Sequence, residues 1–376
     1  MQNIFSLCSF CGTAIFYLVI IMNNLVKKLI KNHSLSQTEY EQLIKNRNPE
    51  IAEILQNEAV RLRKQVYGNE VFLRGLIEIS NYCKNGCYYC GINSANKECN
   101  RYRLTVDEIL NCAVKGYKIG FRTIVLQGGE DNYFTDEVIC DLIKKIKKNC
   151  PETAITLSLG ERTKESYQKL FDAGADRYLL RHETADKAHY ERLHPEKMSF
   201  ENRMNCLKNL KEIGFATGCG FMVGSPYQTE ENLAKDLKFI EEFQPQMCGI
   251  GPFIPQKNTV FANEEKGTAE LTTYLLSIIR IIKPNILLPA TTALNTIEED
   301  GRVRGILSGA NVIMPNLSPK NAREKYNLYD GKAITGEESA EEVKKLEKTM
   351  KEIGYKIVYE RGDVREYRKE DENGSI

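Results

Sequence analysis

A chain of 376 residues, 42% of them hydrophobic, can bury a substantial core, and one α/β barrel of roughly 250 residues with extensions fits the length as well as two smaller domains do. Its 52 Lys and Arg all but cancel 51 Asp and Glu, which excludes a global field for nucleic acid or an anionic membrane surface and points to a small ligand. Twelve cysteines in a long, Lys- and Ile-rich chain read as reduced thiols rather than as the disulfide frame of a short secreted protein.

Residues 4–22 carry no charge and approach the length that crosses a bilayer, with Lys27, Lys28 and Lys31 following. Segment 1–21 therefore reads in one of three ways: an N-terminal anchor with a cytoplasmic basic flank, an uncleaved signal lacking a basic region ahead of its apolar run, or a stretch upstream of a start at Met22. A membrane partner follows only if that segment is genuine, and the remainder is expected in the cytoplasm. Residues 22–70 read as a helical extension covering one end of the domain that follows, and Ser36 with Glu39 has the spacing of a capping box.

Eight short apolar runs then alternate with longer amphipathic segments: 71–80, 123–127, 154–159, 176–180, 218–223, 247–250, 285–288 and 311–314. Thr105 with Glu108 forms another capping box and Ser199 opens an apolar-periodic stretch through Met204, Leu207 and Leu210, while Gly120, Gly174 and Gly214 stand where helices stop. This rhythm predicts an α/β fold, a (β/α)8 TIM-type barrel over 71–330, complete or partly open, whose reactive face gathers the C-terminal strand ends. Residues 331–376 read as a short C-terminal extension, with an amphipathic helix over 338–353 and a frayed tail over 371–376.

Chemistry is expected just after each run. Cys83, Cys87 and Cys90 follow the first one on a loop at the reactive mouth. Three thiolates ligate three irons of a cubane and leave the fourth open, as a cluster that also binds a small molecule requires. A zinc site would want a second Cys or His pair, and none answers this triad. The scattered Cys99, Cys112, Cys140, Cys150, Cys206, Cys219 and Cys248 read as small buried hydrophobes. Gln127-Gly128-Gly129-Glu130 closes the second run, Ser158-Leu159-Gly160-Glu161 the third and Arg181-His182-Glu183-Thr184 the fourth. A Ser, a Glu and Arg203 could bond ribose hydroxyls and pair with a carboxylate, whereas His182, with no second histidine at ligand spacing, reads as a packing or hydrogen-bonding residue. Later strand ends carry Gly249-Ile250-Gly251-Pro252-Phe253-Ile254-Pro255, suited to the flat face of an adenine, then Thr291-Thr292 and Met314-Pro315-Asn316.

The CxxxCxxC spacing with an aromatic, Tyr89, before the last cysteine resembles the radical S-adenosylmethionine superfamily. Within it, the strings Arg101-Tyr102-Arg103, RYLLRHET (177–184), GIGPFIP (249–255) and NVIMPN (311–316) resemble the FeFe-hydrogenase maturase family HydE over nearly the whole chain after Met22. The resemblance implies a 4Fe-4S cluster on Cys83, Cys87 and Cys90, and S-adenosylmethionine held by Tyr89, Gln127, Gly128, Gly129, Glu130, Ser158, Glu183 and Arg203. It further implies a substrate cavity lined by Arg181, Thr291, Thr292, Met314 and Tyr329. The implied role is assembly of the FeFe-hydrogenase active-site cluster from a cysteine-bound iron carbonyl cyanide precursor, alongside other hydrogenase maturases and an electron donor such as ferredoxin or flavodoxin. Some members carry a second C-terminal cluster on three more cysteines; here no cysteine lies beyond Cys248, so that cluster is expected to be absent. Methylornithine synthase and biotin synthase share the architecture and the triad, which keeps an organic substrate open as an alternative, and a non-enzymatic iron-sulfur scaffold is a third reading.

Overall fold

The computed structural model describes residues 20–332 and 340–368. Most of the apolar 1–21 segment and the tail 371–376 lie outside the described residues. Among those described, no helix is long and apolar enough to cross a membrane.

Helix α1 covers 20–32. The expected Ser36–Glu39 box caps α2 (Gln37–Lys45) reciprocally, and Asn48 with Pro49 starts α3 (Pro49–Tyr67). These helices do not cover a barrel end. They pack along the flank, where Tyr40 Oη donates to Glu241 at 2.8 Å and Tyr274 Oη donates to the Leu43 carbonyl at 2.8 Å. The C-terminal part of α3 reaches the floor, where Arg63 donates to the Glu70 carbonyl at 2.6 Å and Tyr67 lies edge-on to Phe72 at 5.6 Å.

The chain continues as β1 (Glu70–Leu73), β2 (Gly75–Ser80), α4 (Val106–Lys118), β3 (Thr123–Gly128), α5 (Asp136–Asn149), β4 (Ala154–Ser158), α6 (Lys164–Asp172), β5 (Arg177–Leu179), α7 (Lys187–Leu193), α8 (Phe200–Ile213), β6 (Ala216–Cys219), β7 (Met222–Val223), α9 (Glu230–Phe243), β8 (Met247–Cys248) and β9 (Gly251–Pro252). After these come α10 (Ala269–Ile282), α11 (Thr292–Ile297), α12 (Gly301–Leu307), β10 (Val312–Ile313), α13 (Lys320–Arg323), α14 (Val343–Glu352) and β11 (Lys356–Val358). The Thr105–Glu108 box and the Ser199 cap are in place. Gly120, Gly174 and Gly214 end their helices at φ of 108°, 110° and 109°, where a side chain would strain the backbone.

Strands β2, β3, β4, β5, β6 and β8 form one parallel sheet in that order. The seventh stave is the stretch around Leu287, bridged to Met247, and the same stretch reaches Val312 through Pro289. The eighth is β10 with its continuation, which closes the ring through Asn316 to Leu76. Side chains pointing outward from the staves, such as Ile77, Ile124, Leu126, Ile155 and Leu157, are fully buried against the helical shell, each contributing about 1.5–3 kcal/mol of transfer free energy.

Two apolar runs are broken where one strand was expected. The first splits at Arg74: β1 leaves the ring to pair with β10 and β11 in a small parallel floor sheet, while β2 enters it. Strand β11, which the sequence pattern does not announce, covers the other edge of β1. The 218–223 run breaks at Gly220, where a Cβ would stand 2.0 Å from the Gly249 carbonyl oxygen; beyond this contact, β7 and β9 pair separately. Periodicity cannot report either break, because both sides of each break remain apolar and buried.

Of the scattered cysteines, Cys112, Cys150, Cys206, Cys219 and Cys248 are buried as expected, while Cys99 and Cys140 are partly exposed.

Candidate active site

The cysteine loop is wound around one side chain. Arg101 donates to the carbonyls of Ile92 at 2.7 Å and Asn93 at 2.6 Å, and also to that of Asn81. Asn81, just past β2, receives the Tyr102 amide at 2.7 Å and donates to Asn100 and Lys325 carbonyls at 2.9 and 2.8 Å. The loop is thus a fixed platform, with Cys83, Cys87 and Cys90 at the C-terminal mouth. Burial pushes all three thiols above the usual cysteine range, Cys87 to about 12, and neighbouring thiols push Cys90 further in the same direction. Uncharged thiols in such a place are poor nucleophiles but ready ligands, since a bound cation deprotonates a coordinating thiol. Among the described residues no three His, Cys, Asp or Glu converge as they would on a single metal ion; in a cubane each thiolate takes a different iron.

The glycine pair after β3 is pressed against this platform. A Cβ on Gly129 would lie 2.3 Å from the Tyr82 carbonyl oxygen and 2.6 Å from Cys83 Cβ, so only glycine lets the two segments meet. The neighbouring Glu130 is engaged with protein rather than turned free into the cavity. Its Oε1 accepts the Glu161 amide at 2.9 Å, its Oε2 lies 3.3 Å from Lys84 Nζ, and its carbonyl accepts the Lys84 amide at 3.0 Å. Gly160, at φ 76°, leaves room for that carboxylate, since a Cβ there would stand 2.1 Å from Glu130 Cγ.

Glu183 occupies the left-handed region at φ 67°, a conformation that costs a non-glycine residue of order 1–3 kcal/mol and persists only where the surroundings impose it. Here its amide donates to the Gly220 carbonyl at 3.0 Å and its carbonyl accepts from Met222 at 3.3 Å. His182, fully buried, supports the same turn. Its Nδ1 accepts the Gly220 amide at 3.3 Å, so Nε2 donates to Asp236 at 3.1 Å. Burial holds this imidazole neutral, down to about 3, in keeping with a hydrogen-bonding role. Tyr89 is fixed in a similar way: its hydroxyl lies 3.1 Å from His194 Nε2, and His194 Nδ1 donates to the Tyr190 carbonyl at 2.9 Å.

These segments surround one cavity of about 340 Å³. Its wall includes Cys83, Cys87, Cys90, Tyr89, Gln127, Gly128, Gly129, Glu130, Ser158, Glu183, Arg203, Arg181, Thr291, Thr292 and Tyr329. Met314 alone among the sequence-predicted residues is outside the wall; it packs with Phe72, Met247, Leu287 and Val312. Arg203 is buried, paired with Glu161 and donating to the Arg181 carbonyl at 2.6 Å. Arg181 Nη2 stands 3.2 Å from Glu183 Oε2 but off the hydrogen-bond axis. Both atoms, with Arg181 Nε and Thr291 Oγ1, are buried without a hydrogen bond from the described residues, which costs free energy unless a ligand satisfies them. The donor set fits the expected groups: three thiols on one loop, a glycine cradle against it, and polar atoms of both signs awaiting a zwitterion or an anion.

The sequence reading missed the wall formed by Tyr326 and Leu328, beside Tyr329. Tyr326 Oη receives Gln127 Nε2 at 3.4 Å, and the Gly91 amide, next to Cys90, donates to the Leu328 carbonyl at 2.8 Å. The only signal was two tyrosines three apart in a segment without strand or helix periodicity.

The Radical SAM superfamily model matches residues 77–240. The chain is 47% identical over 298 residues to the [FeFe] hydrogenase maturase subunit HydE of Thermotoga maritima, covering 79% of this chain and 85% of that protein. It is 31% identical to 3-methylornithine synthase of Methanosarcina acetivorans, covering 87% of this chain and 92% of that protein. The crystal structure of methylornithine synthase superposes with a TM-score of 0.75 at 26% identity, over 89% of this chain and 97% of that one. The protein belongs to the radical S-adenosylmethionine superfamily and is a HydE-like enzyme within it.

Proposed function

We propose that the enzyme generates a 5′-deoxyadenosyl radical and directs it at a cysteine-bound iron carbonyl cyanide precursor, in assembly of the FeFe-hydrogenase active-site cluster. The superfamily implies a 4Fe-4S cluster and S-adenosylmethionine; when bound, they supply an electron and a cleavable sulfonium bond. Cys83, Cys87 and Cys90 would hold three irons and leave the fourth for the methionyl amine and carboxylate. The Gly128–Gly129 backbone would receive the ammonium, while Ser158, Glu183 and Arg203 would orient the ribose and carboxylate. Tyr89, Gln127 and Glu130 complete that half of the wall, Glu130 by locking the glycine turn to the cysteine loop. Arg181, Thr291, Thr292 and Tyr329 would face the substrate. The wall would surround the radical on the sides from which water would otherwise quench it.

The observation that carries this reading is the convergence on one cavity of the thiol triad and of Arg181 and Thr291 atoms without a hydrogen bond from the described residues; the 47% identity to HydE supports the substrate class. Partners then include other hydrogenase maturases and a one-electron donor such as ferredoxin or flavodoxin. The test is anaerobic reconstitution, reduction with S-adenosylmethionine and assay of 5′-deoxyadenosine, followed by restoration of hydrogenase activity in cells lacking HydE. Nucleoside production without restoration would overturn the substrate assignment.

A second reading, an organic substrate as for methylornithine synthase, is favoured by the 31% identity over almost that whole enzyme. Conversion of lysine to 3-methylornithine by the reconstituted protein would establish it.

A further inference from the structure

The missed wall is a strap, residues 325–332, that crosses from α13 over the side of the cavity. Each neighbouring segment holds it by few bonds. The Lys325 carbonyl accepts Asn81 Nδ2 at 2.8 Å, the Leu328 carbonyl accepts the Gly91 amide at 2.8 Å, the Asp330 amide donates to the Pro255 carbonyl at 3.1 Å, and Asp330 Oδ2 accepts the Lys257 amide at 2.8 Å. At its end, Lys332 turns its side chain inward. There Nζ donates to Glu78 Oε1 and, at 2.9 Å, to the Tyr326 carbonyl, and lies 4.7 Å from the centre of the Tyr326 ring.

Glu78 sits on β2 with no exposure to solvent. A carboxylate there is destabilising unless a cation bonds it, and an apolar side chain of similar size would be no less stable. What the pair adds is location: Asn316 and Arg323 also lie near this carboxyl, but Lys332 bonds its Oε1 only when the strap lies in this one place, with Tyr326 against Gln127 and Leu328 against the cysteine loop. The fit at that loop is tight, since a Cβ on Gly91 would stand 2.2 Å from the Asn327 carbonyl oxygen.

We propose that Glu78 and Lys332 are positioning residues whose buried ion pair pins the 325–332 strap, and with it Tyr326, Leu328 and Tyr329, as the wall beside the cysteine loop. The proposal rests on the radical-enzyme reading for its purpose but not for its test. Replacing one partner leaves a buried charge uncompensated and threatens the whole fold, so the informative variant is the double Glu78→Gln, Lys332→Met, which removes the two charges of the pair together and leaves Arg323 in place.

Hydrogen exchange of the anaerobically reconstituted protein, without S-adenosylmethionine, reads the strap directly. The expected result is exchange about tenfold faster at the amides of Gly91, Lys257 and Asp330, which bond to or from the strap, with β3 and β4 within about twofold of wild type. Unchanged strap exchange would overturn the proposal, and so would uniform acceleration, which would mean that the pair supports the barrel at large. In the loaded enzyme the double variant is expected to raise KM for S-adenosylmethionine about threefold or more at nearly constant kcat of its cleavage; local loosening with KM unmoved would remove the positioning role. A wild-type protein that forms no 5′-deoxyadenosine would sink the proposed function while the exchange comparison still decides the latch.

Discussion

Arg280, in the shell behind the barrel, and Arg181, at its mouth, show how one residue type serves two ends. Arg280 is fully buried and its donors reach the carbonyls of Gly309, Pro284 and Ile286 and the Asn311 side chain, at 2.6 to 3.1 Å. Arg63 and Arg177 are also fully buried: Arg63 donates to the carbonyls of Ala310, Gly68 and Glu70, and Arg177 to the Arg361 carbonyl, Thr123 Oγ1 and Asp363. Arg181 keeps Nε and Nη2 without a hydrogen bond from the described residues, facing a cavity whose opposite wall holds three thiols. Arg280 is saturated by the fold, whereas Arg181 is left open at the cavity; Arg74 is also left open at the β1–β2 break, so it is an open guanidinium on the cavity wall, rather than openness alone, that points to a ligand.

The widest test of that contrast removes a ligand of the cluster. Cys90→Ala is expected to lower 5′-deoxyadenosine formation by about 10³-fold or more and to lose the iron-sulfur absorbance, since no other cysteine lies at ligand spacing. Next, Arg181→Met is expected to lower substrate turnover by about 10²-fold, while urea unfolding shifts by no more than about 0.5 kcal/mol. Arg280→Met should do the reverse: it strands several buried carbonyl oxygens, costs about 3–5 kcal/mol in urea unfolding, and leaves the KM for S-adenosylmethionine of the folded fraction near wild type. If the two variants exchanged these signatures, the division between tying and binding arginines would be wrong.

Acidification gives a smaller effect that belongs to the scaffold behind the mouth. Burial holds His182 and His194 down to about 3, against an ordinary value of 6.5. Below pH 6.5 the unfolded chain therefore takes up protons that the folded chain refuses, so stability falls as pH falls and the slope flattens near pH 3. Between pH 7 and pH 5 each histidine accounts for about 2 kcal/mol, and His194→Gln should make the measured slope shallower. The smallest effect is expected at a helix start far from the cavity: Thr105→Ala removes the cap of α4 and should cost about 1 kcal/mol with S-adenosylmethionine cleavage unchanged.

Local features were legible because their causes are local. Ser36, Thr105 and Ser199 cap helices by bonding amides three residues on, and a cysteine triad on one loop needs no distant partner to be recognised. The eight staves were legible as apolar runs, although the break at Arg74 and the added β11 were not, because pairing with β1 is a long-range choice. Met314, also placed after a strand, is partly buried against the floor cluster of Phe72 and Val312 rather than in the cavity wall, because depth along the stave is set by the floor sheet and not by the local pattern.

By itself, then, the sequence determined the alternation of apolar runs with helical segments, the loop that bears Cys83, Cys87 and Cys90, and the helix-ending glycines Gly120, Gly174 and Gly214, all of which depend on neighbours within a few positions. Tertiary structure alone decided which polar atoms are left unpartnered. Arg181 and Arg280 are indistinguishable as letters, and Glu78 and Lys332 are a pair only because a strap 254 residues downstream returns across β2. Hydrogen-bond satisfaction is a property of the closed barrel: Arg280 is met by carbonyls brought from other segments, whereas Arg181, at the cavity, keeps two nitrogens without a hydrogen bond from the described residues.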